Sequence, residues 1–234
     1  MKKNLVILHG WGATSASFNE VKTLLEKEGF SVEVPDLPGF GNVALKNVMT
    51  FDDYVSFVEK FIGEQKVIAI GHSFGGRILI ALAGKKPTLL EKLILVDASG
   101  ITHPRSWKKN LGYFLAKSGK RIFSLPVFSS LFPLTRKLLY VFLDEWDYYK
   151  SEGLLLETFK SVYTRDVREY LPQIRVPTLI VWGEKDKTTP LEDGFFMEKH
   201  IQNAKIVVIT GGTHEVLYKM PHVFIENILP FLRK

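Results

Sequence analysis

The 234-residue sequence contains no cysteine. This absence excludes disulfides, thiolate nucleophiles and cysteine-ligated metals, and a chain of this length buries enough surface to hold its core without them. The sequence also lacks a run of about 20 apolar residues, the length needed to cross a bilayer. The apolar run at residues 5–8 is too short for a signal peptide and precedes no small-residue cleavage site. We therefore expect a cytoplasmic protein without stable membrane insertion.

Acidic residues are scarce in one segment of the chain. Residues 100–150 contain nine basic and three acidic residues, so this segment carries the whole net charge of +6. Such a patch can attract nucleic acid or anionic lipid, but the solvated face of an inserted helical subdomain gives the same composition. We favour the solvated face and expect no nucleic-acid partner, and the sequence leaves the oligomeric state open.

Short apolar runs alternate with helical patterns along the chain. Six runs predict parallel strands buried on both faces, at residues 5–8, 31–34, 66–70, 92–96, 178–182 and 205–209. Helical periodicity predicts five helices between and after them, at residues 17–28, 51–63, 74–83, 191–200 and 216–232. Gly29, Gly63 and Gly84 stand where helix C-caps are expected. The alternation predicts an α/β fold with a mostly parallel six-stranded sheet flanked by helices.

The alternation of strands and helices is interrupted once. Residues 101–174 contain no convincing strand pattern, only helical and irregular stretches broken by prolines. We therefore divide the chain into a core, residues 1–100 and 175–234, and an inserted helical segment, residues 101–174. Large apolar side chains are frequent at residues 114–143. Part of them must pack on the core, and we expect the remainder to line an apolar pocket.

The pentapeptide Gly-His-Ser-Phe-Gly at residues 71–75 has the pattern G-x-S-x-G and lies directly between a predicted strand and a predicted helix. A serine on such a sharp turn is held in strained backbone geometry, with its hydroxyl exposed above the sheet. Glycines two residues to either side avoid a clash across the turn, and Gly76 lets the helix approach the strand. A glycine-rich turn with a structural serine is the alternative. The strand–turn–helix context favours Ser73 as a nucleophile.

A serine nucleophile needs a base, and the base needs a carboxylate that orients it. Of the six histidines, His214 follows the last predicted strand, where loops gather at the carboxyl ends of a parallel sheet. Asp186 follows the preceding predicted strand and is the favoured acid. Asp97, after the strand at residues 92–96, is a competing acid. The sequence thus predicts Ser73, His214 and Asp186 as nucleophile, base and acid.

Hydrolysis of an acyl bond also needs backbone N–H groups directed at the developing oxyanion. We expect one from Phe74, the residue after the serine, and the other from Trp11 in the loop His9-Gly10-Trp11-Gly12. The two glycines allow this loop to turn its N–H groups inward. The Trp11 indole is equally suited to packing a pocket wall, which would leave the backbone role unchanged.

Over essentially its whole length, the chain resembles proteins of the α/β-hydrolase superfamily. Five motifs in order carry the resemblance: His9-Gly10-Trp11-Gly12, Asp36-Leu37-Pro38-Gly39-Phe40-Gly41, Gly71-His72-Ser73-Phe74-Gly75-Gly76, Trp182-Gly183-Glu184-Lys185-Asp186 and Gly212-Thr213-His214. The order serine, acid, histidine is the one found in this fold. The resemblance implies an eight-stranded sheet of which the first two strands are lacking here, and it implies that the inserted segment is a cap over the site.

The resemblance and the site residues together favour ester hydrolysis. We expect a carboxylesterase-like serine hydrolase, without metal or organic cofactor, that cleaves small-molecule esters with apolar acyl groups through an acyl-enzyme on Ser73. A carbon–carbon bond hydrolase or a lactonase would use the same residues, and a non-catalytic binding protein of this fold would keep them silent. Epoxide hydrolases and haloalkane dehalogenases share the pattern but have aspartate at the position of Ser73, which argues against both.

Overall fold

The computed structural model describes residues 2–102 and 153–234. Six strands in these ranges form one sheet: β1 Asn4–Leu8, β2 Ser31–Glu33, β3 Val67–His72, β4 Leu90–Val96, β5 Thr178–Gly183 and β6 Ala204–Ile209. The strand order is β2-β1-β3-β4-β5-β6, and every neighbouring pair is parallel. The six predicted strands are confirmed, and their bounds shift by two residues at most.

Helices cover both faces of the sheet. Their bounds are α1 Asn19–Lys27, α2 Phe51–Ile62, α3 Phe74–Lys85, α4 Gly153–Tyr163, α5 Leu191–His200, α6 Val216–Lys219 and α7 Pro221–Arg233, with 3-10 turns at Ser15–Phe18, Pro87–Leu89 and Arg168–Gln173. Alternate residues of β1 enter two separate apolar clusters, because successive side chains of a strand point to opposite faces. One cluster includes α2, α3 and α5, and the other includes α1, α6 and α7.

The two edge strands differ from the sequence-based expectation of strands buried on both faces. The four inner strands are almost fully buried, whereas β2 and β6 have exposed positions, including Val208 with 36% of its surface exposed. An edge strand has one hydrogen-bonded neighbour instead of two, so it is less enclosed than an inner strand. The expectation of strands buried on both faces is therefore wrong for β2 and β6.

The predicted helix at residues 216–232 is two helices. The chain leaves helical geometry at Met220, with φ −131° and ψ 50°, and a second helix begins at Pro221. Proline has no N–H to donate, and its ring disfavours helical geometry in the residue before it. The break therefore follows from Pro221, a signal that the apolar periodicity obscured.

Gly84 is not a helix C-cap as expected, whereas Gly29 and Gly63 both follow helix ends with positive φ. Gly84 lies inside α3, which continues to Lys85. A Cβ atom at Gly84 would lie 2.9 Å from the Cβ atom of Tyr170. Glycine at this position allows the 3-10 turn Arg168–Gln173 to pack closely against α3.

Of the predicted insertion, residues 103–152 lie outside the described residues, among them the apolar stretch at 114–143 and almost all of the basic segment. Residues 153–174 form α4 and a 3-10 turn and, as expected, contain no strand. Arg77 of α3 fastens the end of α4, because its guanidinium donates to the carbonyl oxygens of Val162 and Tyr163 at 2.9 and 3.1 Å. The bounds of the insertion stay a prediction. Within the described ranges, no helix combines the length and apolar character needed to cross a membrane.

Candidate active site

Ser73 forms the turn between β3 and α3, with φ 50° and ψ −112°. Positive φ is unfavourable for a residue with a Cβ atom and persists only where the surroundings fix it. Here the backbone next to β4 fixes it: the Ser73 N–H donates to the carbonyl of Val96 at 3.0 Å, and the Ser73 carbonyl accepts from the N–H of Ser99 at 3.1 Å. The structure therefore places Ser73 on the strained strand-to-helix turn that the sequence predicts.

Three glycines let neighbouring backbone approach this turn. A Cβ atom at Gly71 would lie 2.7 Å from the Cα atom of Gly76, and one at Gly75 would lie 2.4 Å from the carbonyl oxygen of Leu8. A Cβ atom at Gly76 would lie 2.6 Å from that of Ala98. Each separation is shorter than side chains tolerate, so the turn requires glycine at all three positions. The expected clash across the turn applies to Gly71, while Leu8 of β1 restricts Gly75 and Ala98, after β4, restricts Gly76.

His214 and Asp186 meet at the carboxyl ends of the strands. The Nδ1 atom of His214 lies 2.7 Å from Oδ2 of Asp186, and the Asp186 side chain is fully shielded from solvent. The carboxylate also accepts hydrogen bonds from the Thr188 N–H at 2.7 Å, the Thr189 N–H at 3.0 Å and the Thr189 hydroxyl at 2.7 Å. A carboxylate has about four acceptor positions, so these groups satisfy Asp186 completely.

Two opposing effects set the pKa of Asp186. Burial raises it, but the hydrogen bond and charge of His214, followed by the hydrogen bonds of Thr189, lower it below its ordinary value. Asp186 is therefore ionised at neutral pH and accepts the Nδ1–H of His214. This contact fixes the tautomer in which Nε2 of the imidazole is free of a proton, as a general base requires.

His72, the residue before Ser73, contacts the main chain of the proposed base. Its Nε2 atom lies 2.7 Å from the carbonyl oxygen of His214, and the two imidazole rings are 4.9 Å apart. Burial and the nearby charge of His214 lower the pKa of His72 to about 3, so its ring is neutral and its Nε2–H donates. Sequence reasoning gave His72 no role, since this contact joins residues 142 positions apart.

The competing acid, Asp97, is fully buried beside this site. Its Oδ1 atom accepts the N–H of Gly183 at 2.8 Å, whereas its Oδ2 atom has no hydrogen-bond partner. The carboxylate hydrogen-bonded to His214 is thus that of Asp186 and not that of Asp97.

The predicted oxyanion loop lies against the nucleophile turn. A Cβ atom at Gly10 would lie 3.1 Å from the Cβ atom of Ser73. The Trp11 ring packs edge-to-face on the ring of Phe74 with 5.3 Å between centroids, and Phe159 of α4 packs on the same indole at 5.1 Å. Phe74 is the first residue of α3, so its N–H has no acceptor within the helix. The structure thus brings the two predicted donor residues together beside Ser73.

His9 and Asp36 hold the oxyanion loop in shape, a role that sequence reasoning did not assign. Burial lowers the pKa of His9, and the neutral ring donates from Nδ1 to the Gly10 carbonyl at 2.8 Å and accepts the Leu37 N–H at Nε2 at 2.9 Å. The Asp36 carboxylate accepts the N–H of Ser15 at 2.6 Å. Both residues lie in motifs that carry the resemblance, which is the signal that could have identified them.

His72, Asp97 and His214 present possible metal-ligand atoms within 4.8 Å of one another, the one such group in the described residues. Two of the ring nitrogens are already engaged, Nε2 of His72 by a carbonyl and Nδ1 of His214 by Asp186. We therefore interpret the group as part of the hydrogen-bonded network around the base.

Comparison with known proteins agrees with this geometry. A family model described as the alpha/beta hydrolase fold matches residues 3–221. The chain therefore belongs to the α/β-hydrolase fold family. This result confirms the superfamily expected from the five motifs.

Two relatives and one solved structure illustrate the similarity. Uncharacterized hydrolase YugF of Bacillus subtilis (strain 168) is 25% identical over 250 residues, covering 99% of this chain and 90% of that protein. The pimeloyl-(acyl-carrier protein) methyl ester esterase of Wigglesworthia glossinidia brevipalpis is 27% identical over 252 residues, covering 99% and 94%. The crystal structure of MGS-M2, an alpha/beta hydrolase enzyme from a Medee basin deep-sea metagenome library, superposes with a TM-score of 0.75 at 23% identity, covering 100% and 90%.

At the level of the family, the expected class of hydrolases acting on ester bonds is confirmed. The cytoplasmic location and the expectation of no nucleic-acid partner stay predictions.

Proposed function

We propose that this chain is a serine hydrolase that cleaves carboxylic esters, with Ser73 as nucleophile, His214 as base and Asp186 as the orienting acid. The contact between His214 and Asp186, 2.7 Å from Nδ1 to Oδ2, is the observation that carries the proposal. It joins the loop after β6 to the turn after β5, at the carboxyl ends of the strands, where Ser73 follows β3. This arrangement supports the assignment of a nucleophile, a base and an ionised acid.

The reaction follows from these positions in two stages. Nε2 of His214 takes the proton of the Ser73 hydroxyl as the oxygen attacks the ester carbonyl, and Asp186 stabilises the imidazolium that forms. The N–H groups of Trp11 and Phe74 stabilise the oxyanion. His214 then gives its proton to the departing alcohol, which leaves an acyl group on Ser73. A water molecule, deprotonated by His214, attacks this acyl group, and the bond between the acyl carbon and the Ser73 oxygen breaks. His214 returns the proton to the Ser73 oxygen as the carboxylic acid leaves, which restores the enzyme.

The side chains around the oxyanion loop support a preference for apolar acyl groups. Phe40, Phe74 and Phe159 all pack edge-to-face on the Trp11 ring. The relative from Wigglesworthia is named as a methyl ester esterase, which agrees with an ester as substrate.

An active-site-directed fluorophosphonate tests the proposed nucleophile. The wild-type protein should become labelled at Ser73, as located by mass spectrometry of the digested protein. Ser73→Ala should not label, while Ser56→Ala, which removes an exposed hydroxyl on α2, should label like the wild type. A folded wild-type protein that fails to label would instead be a non-catalytic member of the family.

Esters of graded acyl length test the substrate preference. Each additional buried methylene should contribute up to ~0.8 kcal/mol, about fourfold in kcat/KM, until the pocket is full. The measurement compares p-nitrophenyl acetate, butyrate, hexanoate and octanoate, with a lactone and a ring-cleavage product in the same panel. A steady decline from acetate onward would show that the apolar side chains serve packing alone. Faster turnover of the lactone or the ring-cleavage product would identify another bond as the target.

A further inference from the structure

Asp97 is a buried titratable residue to which the proposed reaction assigns no step. It follows β4, and its N–H donates to the carbonyl of Val181 in β5 at 3.0 Å. Its φ of 45° is positive, which is unusual for a residue with a Cβ atom. Within the described ranges, Ser73 and Asp97 are the two non-glycine residues with this geometry. Such strain persists only where contacts fix it, so the contacts of Asp97 indicate what it does.

Asp97 joins the turn of Ser73 to the turn of Asp186. The residue before it, Val96, accepts the N–H of Ser73 at 3.0 Å. On the other side, Oδ1 of Asp97 accepts the N–H of Gly183 at 2.8 Å, and its carbonyl lies 3.1 Å from the hydroxyl of Thr189. The same hydroxyl contacts the carboxylate of Asp186. Val96 and Asp97, which are adjacent in the chain, thus link the two turns.

The carboxyl group of Asp97 is poorly suited to a negative charge. The side chain is completely buried, and Oδ2 has no hydrogen-bond partner. An ionised carboxylate in such surroundings is strongly unfavourable unless donors or cations compensate it. The titratable groups that face Asp97 are Asp186, His214 and His72, of which Asp186 is ionised and His72 is neutral. A second negative charge beside Asp186 would add repulsion to the loss of solvation.

We propose that Asp97 is a neutral carboxylic acid and a positioning residue, holding Gly183 and Thr189 so that Asp186 faces His214. This inference rests on the proposed function, since it assigns Asp97 to the support of the same acid. The proton of Asp97 takes no part in the reaction.

The pH dependence of folding follows from the same surroundings. Burial raises the pKa of Asp97 to about 7, and the charge of Asp186 adds to the increase, while the Gly183 N–H and the charge of His214 oppose it. The unfolded chain has the ordinary aspartate pKa of about 3.9. The stabilising effect of the protonated form is therefore complete below about pH 4 and is lost as the pH rises through about 7. An asparagine side chain at this position does not ionise, so the stability of an Asp97→Asn variant does not change through this effect.

Thermal unfolding of Asp97→Asn and wild type across pH 5 to 8 tests the protonation state. The Tm of the variant minus that of the wild type should increase by several degrees over this range, because only the wild type loses stability by ionising. Glu226→Gln removes an exposed carboxylate on α7 and should show no such change. A Tm difference that stays constant from pH 5 to 8 for Asp97→Asn would show that Asp97 is already ionised at pH 5, and would overturn the proposal.

Steady-state kinetics test the positioning role. Asp97→Asn keeps an acceptor for Gly183 and should retain most of the wild-type kcat, whereas Asp97→Ala should lose up to about a hundredfold in kcat with KM unchanged. If the alanine variant fails to fold, the asparagine variant alone decides. A loss in Asp97→Asn as large as that in Asp186→Asn would make Asp97 an ionised catalytic acid and contradict the proposal. The unfolding measurement needs no turnover, so a protein that fails to label at Ser73 leaves the protonation result intact.

Discussion

The turn that carries Ser73 and the turn that carries Asp186 both lie at the carboxyl ends of the strands, but different interactions maintain their conformations. The nucleophile turn, residues 71–76, depends on the absence of side chains at Gly71, Gly75 and Gly76. Neighbouring backbone and side-chain atoms occupy the space that Cβ atoms at these positions would need. The acid turn, residues 183–189, is fixed by polar groups that converge on one carboxylate. The first turn is therefore sensitive to added atoms, and the second to lost hydrogen bonds.

Removing the nucleophile should have the largest effect on turnover. Ser73→Ala should lower kcat by about 10⁶, because the attacking oxygen is lost while the small alanine side chain fits the turn. Steady-state ester hydrolysis by purified variant measures the loss, circular dichroism checks the fold, and Ser56→Ala is the matched control. Retention of more than about a hundredth of the wild-type kcat would rule out Ser73 as the nucleophile.

Removing the charge of the acid turn should come second. Asp186→Asn should lower kcat by about 10⁴, because the amide no longer orients the imidazole or stabilises its charged form. Asp97→Asn, an identical change in chemistry at the neighbouring carboxyl group, should cost much less. Parallel kinetics of the two variants measure the ranking, and the reverse order would place the catalytic acid at the end of β4.

Removing one donor from the acid turn should have a smaller effect. Thr189→Val deletes the hydroxyl 2.7 Å from Oδ2 of Asp186 and should lower kcat by about tenfold, the equivalent of one hydrogen bond to a charged group. Thr189→Ser keeps the hydroxyl and should retain most of the activity. Equal losses in both variants would show that the threonine methyl group, and not the hydroxyl, supports the site.

The smallest effect is expected on stability at the strained turn. Ser73→Gly should be more stable than Ser73→Ala by about 1 kcal/mol, a rise of roughly 2–4 °C in Tm, because glycine adopts positive φ without strain. Ser99 provides the control, since its φ is not positive, and there glycine should be less stable than alanine. Scanning calorimetry of the four variants measures both differences, and equal Tm values at position 73 would mean that the turn stores no strain.

The difference between the two turns also explains how much the sequence could predict. The nucleophile turn is encoded in six consecutive residues, whose glycines leave room for closely packed neighbours, so its shape and its serine follow from a local pattern. The acid turn depends on contacts between distant positions: Gly183 reaches Asp97 across 86 residues. The aspartate itself was predicted from its place after a strand. The role of the Thr189 hydroxyl could not be predicted, because a single polar side chain in a turn belongs to no sequence pattern.

The sheet was predictable for a similar reason, because each inner strand is an apolar run that needs no knowledge of its neighbours. The helical patterns were less complete. Apolar periodicity continued through Met220 although Pro221 signalled a break, and Gly84 was taken for a helix end although it serves the close packing of Tyr170. At Pro221 the local backbone geometry ended a helix that the apolar periodicity predicted to continue. At Gly84 the packing of Tyr170, and not a helix end, required glycine.

The contact of His72 with the carbonyl oxygen of His214 allows the side chain at position 214 to be replaced by an added small molecule. His72 binds the main chain at position 214, so the loop is held whichever side chain that position carries. His214→Gly would then leave an imidazole-sized space bordered by Asp186 and Thr189, and the 18% exposure of the native side chain gives solvent a way in. Free imidazole added to this variant should occupy the space and restore part of the ester turnover, with a saturable dependence on its concentration. The proposed base is in this sense an exchangeable group, whereas Ser73, fixed through its own backbone, is not.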